Sequence, residues 1–248
     1  MKTTGNTMLI TGGTAGIGFE IAKTFLAKGN KIIITGRNKQ RLEEALSKLP
    51  GAVGIAGDIT KEDDLEELVA VLKWDFPDLN VIINNAGRAV SHSLVDAERT
   101  YDIASEEILT NYLSIVRLNQ HFLPLISTMQ EAAIVNVSSI VAIVPGQLST
   151  YSASKAALHF YTQSLRIALK KSGANVHVFE LMPPLVNTEF SAEIGGENGI
   201  KPAEVANALL EGMKNNIYEM RVGLSQTIYD LFLKSPQEAL DVMNGIKE

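Results

Sequence analysis

Of the six tyrosines in the chain, only Tyr151 has a lysine four residues further on, in Tyr151-Ser152-Ala153-Ser154-Lys155. On a helix those two side chains share a face. A free phenol titrates near pH ~10, too high for acid–base work at neutral pH. An ammonium about 4 Å away, at an effective dielectric of about 20, contributes ~4 kcal/mol or about 3 pKa units. That would bring the phenol toward ~7, where it can donate a proton to a carbonyl oxygen. Taken alone, the pair also fits a buried tyrosine beside a surface lysine.

A second constellation handles phosphate. Thr11-Gly12-Gly13-Thr14-Ala15-Gly16-Ile17-Gly18 has the form TGxxxGxG and not GxGxxG. Gly12 lets the chain turn sharply off a strand, Gly16 lets backbone approach a pyrophosphate at a helix N-terminus, and Gly18 lets the helix pack close on a sheet. Further on, Thr35-Gly36-Arg37-Asn38-Lys39-Gln40-Arg41 contains three basic residues and no carboxylate. In a dinucleotide-binding fold, an acidic residue here takes the ribose 2′-hydroxyl of NAD, and a basic one accommodates the 2′-phosphate of NADP. Arg37 can fork onto a phosphate, so NADP(H) is expected, with NAD(H) as the alternative. A solvated basic helix start is the competing explanation, although a cation there opposes the macrodipole unless an anion visits.

The elements that must position these residues alternate along the chain. Met8–Thr11, Lys31–Thr35, Val53–Ala56, Asn80–Asn84, Ala133–Val137, Asn175–Leu181 and Tyr218–Val222 read as strands. Between them, apolar stripes such as Ile17, Ile21 and Phe25, or Leu65, Leu68, Val69 and Leu72, mark helices, as do Asn111–Ile126, Ser152–Lys170 and Pro202–Gly212. Strands that are apolar throughout belong to a parallel sheet buried on both faces. Right-handed crossovers then give an α/β doubly wound (Rossmann) sheet of about seven strands with helices on both faces. A single domain, 1–248, is expected, with the motifs in 7–188, a mobile substrate lid at 187–212 and a helical tail at 225–248. Ser235-Pro236-Gln237-Glu238 reads as a capping-box restart inside the tail. The tail's apolar positions, Met243 among them, cover either the core or a partner subunit.

Two more motifs fall at strand ends: Asn84-Asn85-Ala86-Gly87 and Asn136-Val137-Ser138-Ser139. With TGxxxGxG and Tyr-x-x-x-Lys, they resemble the short-chain dehydrogenase/reductase family, in its shorter single-domain branch, from Thr7 to Thr188. The resemblance implies that Tyr151 is the general acid for reduction and base for oxidation. It implies that Lys155 lowers the tyrosine pKa and holds the nicotinamide ribose, and that Asn111 kinks the central helix and holds a proton-relay water. Gly12, Thr14, Gly16, Ile17, Gly18, Arg37, Asn85, Ala86 and Gly87 would line the cofactor. Asp58, with Ile59, would meet the adenine, and Pro183, Val186 and Thr188 would close on the nicotinamide. For the serine that polarises the substrate carbonyl, the family's spacing to the tyrosine points to Ser138 and the local pattern to Ser139. Ser139 is favoured, because pleat alternation fixes register at a strand end while loops absorb deletions. Pro183-Pro184 replaces the usual Pro-Gly, and Arg221-Val222-Gly223 with a helical tail replaces a strand ending in two glycines. Those departures resemble a bacterial subgroup found with teichoic-acid D-alanylation genes.

Composition narrows the rest. The chain has 248 residues, 46% of them hydrophobic, which excludes wholesale disorder. No apolar run approaches the length of a membrane span. The absence of cysteine excludes disulfides, a thiolate nucleophile and cysteine-based metal sites, and the four histidines are dispersed, so no metal is expected. A net charge of −6 argues against nucleic acid and anionic membranes. The expectation is a cytoplasmic NADP(H)-dependent oxidoreductase that interconverts a small-molecule carbonyl and alcohol, as a homodimer or homotetramer. The alternative is a dinucleotide-binding sensor or scaffold without turnover, which would not need a tuned phenol.

Overall fold

In the computed structural model, which describes residues 1–95 and 98–246, the apolar runs form one seven-stranded sheet whose adjacent strands all pair in parallel. Its strands are β1 (Thr7–Ile10), β2 (Lys31–Gly36), β3 (Val53–Ala56), β4 (Leu79–Asn84), β5 (Ala132–Val137), β6 (Val176–Met182) and β7 (Glu219–Arg221). They lie in the order β3-β2-β1-β4-β5-β6-β7. The chain therefore winds outward from β1 in one direction, crosses back, and continues from β4 in the other. Where β1 and β4 lie side by side, their loops diverge and leave a crevice at the strand C-termini.

Strand alternation feeds two apolar layers. Met8 and Ile10 of β1 face a layer that takes Ile21 and Phe25 from α1 (Gly16–Leu26), and Leu42 and Ala45 from α2 (Lys39–Leu46). Leu9 faces the other, with Leu65, Leu68 and Leu72 from α3 (Glu62–Asp75). Phe25 is fully buried, so Phe25→Ala would cost about 3–5 kcal/mol.

The helix expected from Asn111 begins earlier. Helix α4 (Thr100–Ile108) runs through a π-helical turn, Leu109–Leu113, into α5 (Ser114–Ile126). The first turns escape periodicity because only Ile103 and Glu107 of α4 are buried, while Tyr101 is exposed. After β5, α6 (Ser149–Ser172) lies on the second layer through Leu165 and Leu169.

The segment expected as a lid divides. Residues 187–199 hold two short 3-10 turns, Glu189–Ile194 and Gly196–Asn198, whereas α7 (Pro202–Lys214) packs on α1 through Val205, Ala206 and Leu209. The apolar face of α7 makes it part of the core. The tail forms α8 (Leu224–Lys234) and α9 (Pro236–Asn244). Pro236 starts α9 as anticipated, but the Ser235 side chain makes no capping hydrogen bond, so the capping box does not form. The last two positions of the expected tail, 247 and 248, lie outside the described residues. Among the described residues, no helix is long and apolar enough to cross a membrane.

Candidate active site

The loops after β1, β2, β3, β4, β5 and β6 enclose a cavity of about 650 Å³ that runs from Arg37 and Asp58, past the glycine turn, to Ser139, Tyr151 and Lys155. Close backbone contact builds its floor. Gly12 has φ +65°, and a Cβ there would sit 2.9 Å from Ala86 Cα. The Asn85 side-chain amide donates to the carbonyls of Thr11 and Gly12, both at 3.0 Å. The Thr11 hydroxyl accepts from the backbone N–H groups of Asn85 and Ala86. The two motifs, far apart in sequence, thus form one rigid unit. Helix α1 starts at Gly16 with no side-chain cap, so its first N–H groups are left for an anion.

At the far end, Arg37 lies 3.7 Å from Asp58. Burial alone would raise the Asp58 carboxyl, but hydrogen bonds from Thr60 and the charge of Arg37 outweigh it and hold the group below its usual range. Arg41, four residues on, forks onto Glu189.

The other end holds the titratable pair. Lys155 is 3% exposed, donates to Val137 O at 2.8 Å, and lies 5.6 Å from the Tyr151 ring centroid. Burial pushes Lys155 down to about 8, opposed by the charge of Glu180. Tyr151 departs from expectation. Its surroundings raise the phenol rather than lower it, first by desolvating the phenolate and then through the negative charge of Glu107. At neutral pH the hydroxyl keeps its proton.

Asn111 sits in the π turn and is fully buried. Its Oδ1 accepts from the Arg88 N–H, and its Nδ2 donates to Arg88 O and to Ser154 Oγ, each at 2.8 Å. The extra residue of the π turn re-aims this amide, which then ties α6 to the loop after β4. Both of its N–H donors are committed to protein, leaving the second lone pair of Oδ1 for any water. Asn111 does not line the cavity but stands behind Gly87, where a Cβ would meet Oδ1 at 3.4 Å. Gly18 is likewise beneath the floor, against Asn85 and Gly12 O. The remaining anticipated residues, Thr14, Gly16, Ile17, Ile59, Pro183, Val186 and Thr188 included, border the cavity.

The two serines differ in their partners. Ser138 Oγ donates to Glu180 Oε1 at 2.5 Å in the interior. Ser139 Oγ accepts from the Val141 N–H at 3.3 Å and lies 3.5 Å from Pro183 O. Several contributors were not anticipated. Glu180 is a fully buried carboxylate that takes Ser138 and His159, and its charge within an apolar strand was the available signal. Glu107, fully buried in α4, accepts from the Val90 N–H. Phe190, whose ring centroid is 6.0 Å from that of Tyr151, and Met243 of α9 also border the cavity, with no sequence signal for either. Among the described residues, no group of three or more His, Asp or Glu side chains could hold a metal ion.

Known proteins share this fold. Residues 6–199 match the family model described as short chain dehydrogenase. The chain is 36% identical over 226 residues to the uncharacterized oxidoreductase DltE of Bacillus subtilis, covering 89% of each chain. It is 35% identical to serine 3-dehydrogenase of Agrobacterium fabrum, covering 77% of this chain and 76% of that one. A short chain dehydrogenase from Burkholderia cenocepacia, solved in complex with NADP, superposes with a TM-score of 0.84 at 26% identity over 98% of both chains. The protein belongs to the short-chain dehydrogenase family, similar to DltE, and is an NAD(P)-dependent oxidoreductase acting on CH–OH and C=O groups.

Proposed function

We propose that the protein reduces a small carbonyl compound to an alcohol, and runs the reverse, with NADP(H) preferred over NAD(H). The observation that carries this reading is the convergence of Ser139, Tyr151 and Lys155 at one end of a cavity whose other end is the glycine turn and Arg37. The cavity suits a dinucleotide. Its floor leaves no space for a Cβ at Gly12, and the uncapped start of α1 offers backbone donors to a pyrophosphate. When bound, the nicotinamide supplies the hydride for the carbonyl carbon. Tyr151, protonated at neutral pH because its surroundings disfavour the phenolate, gives its proton to the carbonyl oxygen and recovers one in the reverse direction. Ser139 holds that oxygen, since the Ser138 proton is committed to Glu180. Lys155, charged below about 8, stabilises negative charge on the phenol oxygen as the proton leaves. Asn111 keeps α6 and the loop after β4 in register through Arg88 and Ser154. Arg37 takes the 2′-phosphate of NADP.

The test measures NADPH oxidation across aldehydes and ketones, with NADPH binding followed by fluorescence. Tyr151→Phe should bind NADPH like the wild type and lose at least about 100-fold in kcat. Undiminished turnover by that variant would refute the assigned chemistry.

A further inference from the structure

We propose that the substrate end of the cavity accepts a carbonyl compound with an uncharged, largely apolar substituent, and that Met243 of α9 limits the size of that substituent. The inference rests on the carbonyl–alcohol reading above and names the class of compound it acts on.

Beyond Ser139 and Tyr151, the cavity wall is built from Ile140, Val141, Leu148, Phe190, Ile194 and Met243. Gln147 adds an exposed amide at the rim. The charged side chains bordering the cavity, among the described residues, already have partners. Arg37 faces Asp58, Arg41 forks onto Glu189, and the Lys155 ammonium donates to Val137 O. Apart from Lys155, which is held against Val137 O and whose charge acts at the Tyr151 hydroxyl, a carboxylate or phosphate on the substrate would therefore meet no cation at this end, and an ammonium would meet no free carboxylate. An ion buried without a partner carries a large desolvation penalty. Phe190 offers the opposite inducement. Its ring is tilted beside that of Tyr151 and is 51% exposed, so an apolar substituent next to the reacting carbonyl would remove that face from water.

The tail closes this end. A Cβ added at Gly146 would lie 3.4 Å from Val141 Cγ1 and 3.6 Å from Met243 Cε, so both side chains lie against Gly146 in the loop between β5 and α6. The Asn244 amide donates to Pro145 O at 3.0 Å and pins the end of α9 to that loop. An unbranched, flexible thioether at this point adapts to the substituent and caps the space it can fill.

Two pairs of compounds of matched size separate the possibilities in assays of the holoenzyme: 4-methylbenzaldehyde against 4-carboxybenzaldehyde, and 2-octanone against 7-oxooctanoate. The neutral member of each pair should have a kcat/KM about 100-fold or more above the charged one. Met243→Lys should narrow that gap at least about tenfold by supplying a cation. Met243→Ala should raise kcat/KM for 4-tert-butylbenzaldehyde relative to 4-methylbenzaldehyde by about tenfold. Equal use of neutral and charged members, or ratios unmoved by both Met243 variants, overturns the inference and leaves the carbonyl reading standing. Turnover of none of these compounds, nor of any aldehyde or ketone in the wider panel, overturns the carbonyl reading and the inference with it.

Discussion

The Arg41 guanidinium donates to both carboxylate oxygens of Glu189, at 2.8 and 3.2 Å, across 148 residues of sequence. The pair bridges the start of α2 and the segment after β6 at the mouth of the cavity, beside Arg37. Both side chains are more than half exposed, so solvent screening leaves the bridge contributing little to the fold. On the NADP(H) reading proposed above, its consequence is for the cofactor, because Glu189 would compete with an incoming phosphate for Arg41.

Arg37→Ala should raise KM for NADPH about tenfold or more and leave KM for NADH nearly unchanged. Glu189→Gln, which releases Arg41, should lower KM for NADPH by roughly two- to fivefold at low salt, with the gain fading as ionic strength rises. Equal changes for both cofactors in Arg37→Ala would remove the 2′-phosphate assignment.

Lys155 is held at a cost to the fold. Its folded pKa of about 8 lies below the 10.5 of a free lysine side chain, so the unfolded chain binds more protons between those limits and stability rises with pH across that window. Below it, the native state carries a desolvated charge. Lys155→Met should raise the unfolding free energy at pH 7 by on the order of 1 kcal/mol, after loss of the hydrogen bond to Val137 O. The same change should cut kcat at least about 100-fold. Urea titrations beside steady-state rates test the pair of effects, and a less stable variant would count against this account.

His159 behaves in the opposite sense. Its Nδ1 lies 2.9 Å from Glu180 Oε2, and that hydrogen bond raises its pKa above 6.5, with burial opposing. A raised folded pKa means that the stabilisation is complete below the unfolded value and is lost as pH rises through the folded one. Unfolding free energy should therefore decline as pH climbs past 6.5, by on the order of 1 kcal/mol, the scale of a charge-assisted hydrogen bond. In His159→Gln this decline should disappear, which chemical denaturation from pH 5.5 to 8.5 would register.

Gly18 tests the floor. A Cβ there would fall 2.4 Å from both Asn85 Nδ2 and Gly12 O, inside the contact that joins the two motifs. Gly18→Ala should cost about 1–3 kcal/mol of stability and raise KM for the cofactor. Gly57→Ala, where the nearest atom is 3.5 Å away, should leave the thermal midpoint nearly unchanged.

Periodicity and short spacing made most of the fold legible. An apolar strand such as Lys31–Gly36 or a stripe such as Leu65, Leu68 and Leu72 reports burial through neighbours a few residues away, and that information is local. The glycine turn and the Tyr151–Lys155 spacing were readable for the same reason. Helix α4 was not, because its exposed Tyr101 and buried Glu107 make no stripe. The environments of the site residues were likewise decided by tertiary structure. Ser138 meets Glu180 across 42 residues, and Asn111 meets Ser154 across 43. Tyr151 is raised by burial and by Glu107, neither visible in its own helix. Met243 reaches the cavity only because α9 folds back onto the loop at Pro145. Residue types and local spacing specified the chemistry available, while proton affinities and the shape of the substrate end depend on desolvation and charge from segments brought together by folding.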